Sequence, residues 1–379
     1  MIPIKREAML LGPSNIQPTS KRFQVIGAFN PAAARLPNGD IVLYVRIAEK
    51  LLKDEDRNYY YAPRCIGEDS CKMEFDRFHK KEVQSKSNSD LIFGDNTKRL
   101  LFISHFRRVI LDRSGFKVKH IDPKPSFTGL RSNGELGVED PRMVKLGDRY
   151  AMTYVSLSRQ GNISTSLALS EDGIHWDRKG VIFSEQNKDV VLFPEMIKGN
   201  YHILNRPEGG FEFTPPHMWM ATSKDLLNWG KNRPVKLSKR GGWDYERVGA
   251  GAPPIKTDKG WLLFYHGVET HEAKVKVSHT FLGSEVKPYI YTAYEIGAAL
   301  FDLKNPRRLI AKAPKPIIYP RKKYEISGYV NHVIFPEGLI YDEERGELLL
   351  FSGGGDSVTE VKKIALKDVM DSLEPVGRA

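Results

Sequence analysis

The stretch Ala168-Leu-Ser-Glu-Asp172-Gly-Ile-His-Trp176 returns as Ala221-Thr-Ser-Lys-Asp225-Leu-Leu-Asn-Trp229, so that Ala-x-Ser-x-Asp-x-x-x-Trp recurs at an interval of 53 residues. Each copy reads as a strand, a turn begun by Ser and Asp, and a tryptophan packing back over the turn. A period of roughly 50 residues holding about four strands is the length of one propeller blade. At that length the chain holds roughly five to seven blades. Two β-sandwiches in tandem are the alternative, and they have no reason to repeat a turn's chemistry at this spacing.

Outward from the repeat, strand-length runs bounded by Gly, Pro, Asn and Asp dominate: 40–47, 100–105, 150–157, 199–204, 261–266, 296–301 and 347–352. Helical periodicity is confined to two short stretches, 46–56 and 364–372. The chain therefore reads as all-β. At 379 residues with 40% hydrophobic and 28% charged residues it is an ordinary globular composition. The expected organisation is a single catalytic propeller over 1–379, with N- and C-terminal extensions packing on it or closing it.

The formal charge of +11 points to anionic partners. The basic residues are scattered, without a long block or a zinc-finger or RNA-binding signature, which sets nucleic acid aside. The N-terminus is charged, and no run approaches the roughly 18 apolar residues of a membrane span, so no membrane partner and a cytoplasmic location are expected. Cys65 and Cys71 are the two cysteines; their spacing could close a small loop, but in a chain this long they read as reduced thiols, with no metal-ligand cluster around them.

Propellers gather their sites on the axis, where the innermost strand of each blade delivers one or two side chains. Asn30, Arg46, Asp140, Arg206, Glu246, Arg247, His266 and Asp356 lie at the ends of otherwise apolar runs at blade intervals, and as a set they read as the lining of one pocket. Singly, each is an ordinary loop residue. The corner Gly137-Val-Glu-Asp-Pro-Arg142 places two acids beside a proline and an arginine, and Asp140 is where the chemistry is expected. In isolation the same corner is a capped turn.

Gly137-Val-Glu-Asp-Pro-Arg142 followed by Tyr150-Ala-Met-Thr-Tyr154 resembles the signature of glycoside hydrolase family 130, the β-mannoside phosphorylases and related mannosidases. Phe29-Asn-Pro-Ala-Ala33, Asn187-Lys-Asp-Val-Val-Leu-Phe-Pro194 with Asn205-Arg-Pro207, Gly249-Ala-Gly-Ala-Pro-Pro-Ile255 with Gly260-Trp-Leu-Leu-Phe-Tyr-His-Gly267, and Tyr324-Glu325 leading to Phe335-Pro336 and Gly353-Gly-Gly-Asp356 fit in the same order. The resemblance implies a five-bladed β-propeller with substrate in a central funnel and Asp140 as general acid, its proton passing to the glycosidic oxygen through a sugar hydroxyl. Phosphate would be the nucleophile, as co-substrate, and no metal or organic cofactor is expected.

A phosphorylase needs a cationic cradle for phosphate, whereas an inverting hydrolase needs a second carboxylate about 6.5–9.5 Å from the first to activate water. Arg206 matches a phosphate-binding arginine of the family, Arg247 a family lysine, and Asn187 a phosphate-side position. Gln186 departs from an arginine found in some members, and Arg159 is a candidate to compensate. Glu208 and Glu246, beside the two matched arginines, are the candidate bases of a hydrolase, so inverting β-mannosidase stays open beside phosphorylase, and a non-catalytic carbohydrate-binding propeller beside both.

Asn30, Arg46, Tyr265, His266 and Asp356 are the candidate sugar contacts. For His266 a buried structural role weighs equally, and Arg142 reads as the residue that holds Glu139 or Asp140 in place. Tyr59-Tyr60-Tyr61 lies where the resemblance is poorest; these rings could stack on an acceptor sugar or belong to a strand. The stretch 270–286 reads as an insertion that shapes the acceptor side or an oligomer contact.

Overall fold

The computed structural model describes residues 1–379 except 185, 209–212, 280–282 and 377–379, and, within those bounds, the side chains outside 273–288. Five antiparallel sheets follow one another along the chain. The first is built from Phe23–Arg35, Ile41–Leu51, Phe102–Leu111 and Val118–Ile121; the second from Gly137–Leu146, Arg149–Ser158, Asn162–Ser170 and Asp177–Phe183. The third comprises Asn187–Leu192, Tyr201–Pro207, Trp219–Ser223 and Gly230–Pro234. The fourth runs from Arg247–Ala250 through the long strands Trp261–His279 and Gly283–Phe301 to Leu309–Lys312. The fifth takes Ile334–Asp342, Glu347–Gly354 and Val358–Ala365 from the C-terminal region and completes itself with the N-terminal strand Arg6–Leu11. The chain's two ends are thereby joined in one sheet.

The first strand of each sheet is its inner strand. That of the first sheet packs against those of the second and the fifth, and the third sheet's lies against those of the second and the fourth. Apolar side chains fill the spaces between sheets: Tyr44, Met152 and Tyr154 between the first and second, Val191, Phe193, Trp261 and Phe301 between the third and fourth. The polar edges of the inner strands are left to line the middle.

The repeated turn has the expected chemistry twice over. Asp172 Oδ1 accepts the amides of Ile174 and His175, and Ser170 Oγ accepts that of Gly173. Asp225 and Ser223 do the same for Leu227, Asn228 and Leu226. These amide donors hold both carboxyls well below the usual aspartate range, the more buried Asp172 despite its desolvation. Trp176 turns its edge to Tyr44, and Trp229 donates its indole N–H to Leu226 O within its own turn.

Two expectations are corrected. Residues 46–56 do not wind into a helix: Ile41–Leu51 is a central strand, bonded on both sides, because its β-branched and aromatic residues face buried surfaces on both faces. Cys65 and Cys71 are joined in a disulfide with Cα atoms 4.9 Å apart, closing a seven-residue hairpin end rather than standing as thiols. The tyrosines 59–61 open the strand Tyr59–Cys65, which pairs with Met73–His79. That hairpin and the small sheet of Val83–Lys86, Asp90–Phe93 and Lys98–Leu100 are inserted between two strands of the first sheet. Leu366–Asp371 is the short C-terminal helix expected over 364–372. No helix of the described residues is long and apolar enough to cross a membrane.

Candidate active site

Four of the five inner strands break register where a polar side chain is needed: between Phe29 and Pro31, Glu139 and Arg142, Lys188 and Val191, and Pro336 and Gly338. At three of these bulges the extra residue is left-handed, Asn30 at φ 50°, Asp140 at 49° and Asp189 at 53°. Asn and Asp tolerate that region because their short polar groups bond locally. A bulge re-aims one side chain out of the strand's alternation, which is how carboxylates reach the centre of an otherwise apolar stack.

Asn30 Nδ2 donates to Asp140 Oδ1 at 3.0 Å, and Arg46 Nη1 donates to the same oxygen at 2.8 Å. Arg46 also bonds Glu139 through Nη2 and donates Nε to Ser104 Oγ at 3.2 Å, while Ser104 donates to Glu139 at 3.3 Å. All are buried. Burial alone would raise the Asp140 carboxyl; the cations Arg46, Arg142 and Lys188, with the Asn30 bond, outweigh it and hold the group below its ordinary value. Both hydrogen bonds converge on Oδ1, and among the described residues none is made to Oδ2.

Arg142, expected to steady its own corner, reaches further. Its Nη1 donates to the Asp140 carbonyl at 3.0 Å, Nη2 lies 3.1 Å from both Asp189 Oδ1 and Glu337 Oε1, and Nε donates to Gly251 O at 3.4 Å. One guanidinium thus ties the second, third and fifth inner strands and the turn that follows the fourth. Asp189 passes the connection on, accepting Arg206 Nε at 2.6 Å with His266 Nε2 3.4 Å away. Despite its burial, Arg206 and Arg142 hold Asp189 far down in its acid range. Glu337 is the reverse: fully enclosed, it is pushed well above the usual carboxyl range, since burial outweighs the pull of Arg142. A Cβ on Gly249 would collide with the Asp189 carboxylate and the His266 ring, so only glycine lets the fourth inner strand approach this closely.

Arg206 and Arg247 come together at the end of this chain of ion pairs. Glu208 lies between them, bonded to Arg206 Nη1 and 4.0 Å from Arg247 Nε. Arg247 is the more exposed of the two and donates Nη1 to the Tyr294 hydroxyl at 3.2 Å. Asn187, buried nearby on the same strand as Asp189, donates to Asn205 Oδ1 at 3.2 Å. Asp356 follows Gly353-Gly-Gly355 in a left-handed conformation, and burial pushes its carboxyl up to about 6, with Asp140 and Glu139 adding to the rise and Arg46 and Lys188 opposing it. His266 is fully buried against the rings of Phe335 and Tyr294; that burial lowers its pKa to about 3 and keeps it neutral.

Three candidates lie apart from this cluster. Tyr265 is wholly enclosed, stacked on Trp243 with its hydroxyl bonded to Asp244 Oδ2 at 2.9 Å, because in a strand the neighbour of inward-facing His266 must face the other way. Glu246 is exposed and accepts the Thr270 hydroxyl at 2.8 Å. Arg159 is half exposed, 3.5 Å from Glu135, in a separate cavity with Arg64 and Arg131. Asp189 and Glu337 were not singled out in the sequence. Asp189 carried a signal, an acid near the start of an otherwise apolar strand, as Asp140 is in its own; Glu337 carried one in the Pro-Glu-Gly that breaks an apolar run.

A family profile described as beta-1,4-mannooligosaccharide phosphorylase, of glycoside hydrolase family 130, matches residues 108–375. The chain belongs to glycoside hydrolase family 130. Among the relatives of this family 130 member, a beta-1,2-mannobiose phosphorylase of Listeria innocua is 29% identical over 376 residues, 97% of each chain. A 1,2-beta-oligomannan phosphorylase of a Thermoanaerobacter species is 32% identical over 278 residues, covering 73% of this chain and 83% of its own. The solved structure of the Listeria innocua beta-1,2-mannobiose phosphorylase in complex with beta-1,2-mannobiose superposes with a TM-score of 0.81 at 28% identity, covering 96% of both chains.

Proposed function

We propose that this family 130 enzyme cleaves β-mannosides with inorganic phosphate, inverting the anomeric carbon to give α-mannose 1-phosphate, with Asp140 as acid and Arg206 and Arg247 as the phosphate clamp. The observation that carries the reading is the position of Glu208: two arginines that converge on one carboxylate form a socket for an oxyanion. Phosphate oxygen attacks C1, the bond from C1 to the bridging oxygen breaks, and the bridging oxygen takes the proton delivered from Asp140. Asp140 is held ionised in the free site. The negative field of bound phosphate opposes that of Arg46 and Arg142 and lifts the carboxyl toward its acid form. Asn30, Arg46, His266 and Asp356 are the groups we assign to the mannose side, and Asn187 to the phosphate side.

We read the five sheets as the blades of one five-bladed propeller over the whole chain, closed by the N-terminal strand. The relatives with the broadest overlap are named for β-1,2 linkages, and we take β-1,2-mannobiose or a β-1,2-oligomannan as the substrate class. The reaction draws on phosphate and leaves a charged sugar phosphate, which suits the cytoplasm, and it needs no metal or organic cofactor for its chemistry.

The second reading, hydrolysis with Glu208 activating water, rests on the same carboxylate, and one variant separates the two. Glu208→Gln removes a competitor for the clamp, so phosphorolysis of β-1,2-mannobiose should persist with a phosphate KM lowered by about fivefold, the equivalent of about 1 kcal/mol. Release of free mannose without phosphate by the wild type, abolished in this variant, would establish the hydrolase instead.

Asp356 gives a pH signature. Its carboxylate accepts sugar hydroxyls through both oxygens when ionised and loses one of those acceptors to an O–H donor when protonated, and its pKa is raised to about 6. The mannoside KM should therefore rise as pH falls through 6, and Asp356→Asn should flatten that limb of the profile. An unchanged inflection in the variant would assign it to another group.

A further inference from the structure

The long hairpin of the fourth sheet carries a cluster that phosphorolysis does not use. Glu269 and His271 lie two residues apart on Trp261–His279 and so share a face; Glu295, opposite Gly267 on Gly283–Phe301, projects from the same face. One donor atom from each of the three lies within 4.8 Å of the others. His271 Nε2 is 3.5 Å from Glu295 Oε1 and 3.9 Å from Glu269 Oε2. Glu295 is only 6% exposed, and neither its Oε2 nor His271 Nε2 has a hydrogen-bond partner among the described residues. A buried carboxylate oxygen and a buried imidazole nitrogen left without partners side by side are costly, and a single cation relieves both.

We propose that Glu269, His271 and Glu295 form a binding site for a divalent transition-metal ion of the zinc class. One imidazole and two carboxylates suit zinc, cobalt or manganese, whereas magnesium and calcium prefer all-oxygen sets. Metal–ligand bonds of about 2.0–2.2 Å bring donors to within about 3.5 Å of one another, so the present cluster closes on an ion by side-chain rotation alone. The His271 ring is already oriented, stacked on Tyr291 at 5.3 Å, which itself stacks on His332 at 4.0 Å. The ion would brace the base of the hairpin. Tyr294, adjacent to Glu295 on the opposite face, is the residue that receives Arg247, so the metal acts on the phosphate clamp by positioning and takes no part in bond breaking.

The test is calorimetric titration of chelator-treated, dialysed full-length protein with zinc chloride, and with cobalt chloride followed by its visible spectrum. One equivalent should bind, millimolar magnesium should not displace it, and His271→Ala and Glu295→Gln should each weaken it by at least about tenfold. His271 is partly exposed, so its variant is expected to fold, which circular dichroism checks; it carries the test if the buried Glu295→Gln does not fold. Absence of binding below millimolar zinc, or binding that His271→Ala leaves unchanged, overturns the proposal.

Discussion

Asp140→Asn should lower kcat/KM for β-1,2-mannobiose phosphorolysis by about 10²–10⁴-fold while mannoside binding stays within a few fold of wild type. The reason lies in how the two carboxylate oxygens are used. Asn30 and Arg46 both bond Oδ1, which an asparagine carbonyl reproduces, so the bulge and its partners persist in the variant. What the amide cannot do is release a proton from the position of Oδ2. A leaving group that needs no protonation separates this role from a merely positional one: an aryl mannoside with an acidic phenol should recover most of the lost rate in Asp140→Asn. Equal losses on both substrates, or wild-type turnover of the disaccharide, would remove Asp140 from the acid's place. Isothermal titration with mannoside supplies the binding arm.

The all-β character was legible because the repeated Ser-x-Asp turn is local chemistry: Ser170 and Asp172, like Ser223 and Asp225, bond amides within three residues, and nothing distant can override them. The meeting of Asn30 and Asp140 was legible for a similar reason, since both stand beside prolines that interrupt their strands. Tyr265 misled because it adjoins His266, and which of two neighbours faces inward depends on register with Arg247–Ala250, which no local pattern fixes. Arg159 and Glu246 misled because spacing along the chain places a residue at the rim without saying whether a nearer partner, Glu135 or Thr270, claims it first. Asp189 and Glu337 escaped notice because their importance lies in Arg142, whose four contacts come from residues up to 195 positions away. The disulfide was missed because two cysteines six residues apart are bridged only when a hairpin brings their Cα atoms together, and the hairpin was itself unread.

Arg142→Leu should be the most destabilising single change in the site, by about 3–5 kcal/mol, because removing one partner of a buried ion pair strands the other. The guanidinium is 2% exposed and its carboxylate neighbours 2% and 0%. The two carboxylates do not share the cost equally. Asp189 is held ionised by Arg206 and Arg142 together, so losing Arg142 leaves a buried charge with weaker compensation, and the Arg206 arm of the proposed clamp should loosen with it. Glu337 is pushed well above the usual carboxyl range by burial, against the pull of Arg142 3.1 Å from its Oε1, so of the two carboxylates it holds its proton the more readily and its amide is the smaller change. Urea denaturation should therefore order the variants, with Asp189→Asn close to Arg142→Leu and Glu337→Gln within about 1 kcal/mol of wild type. A Glu337→Gln loss as large as that of Asp189→Asn would mean that Glu337 is ionised and that Arg142 serves two charges. In that case the rise in phosphate KM expected of Arg142→Leu should also be seen in Glu337→Gln. If Glu337 is neutral, that rise follows Asp189 alone, because Asp189 is the carboxylate that joins the arginine at the centre to Arg206, the arginine we assign to phosphate.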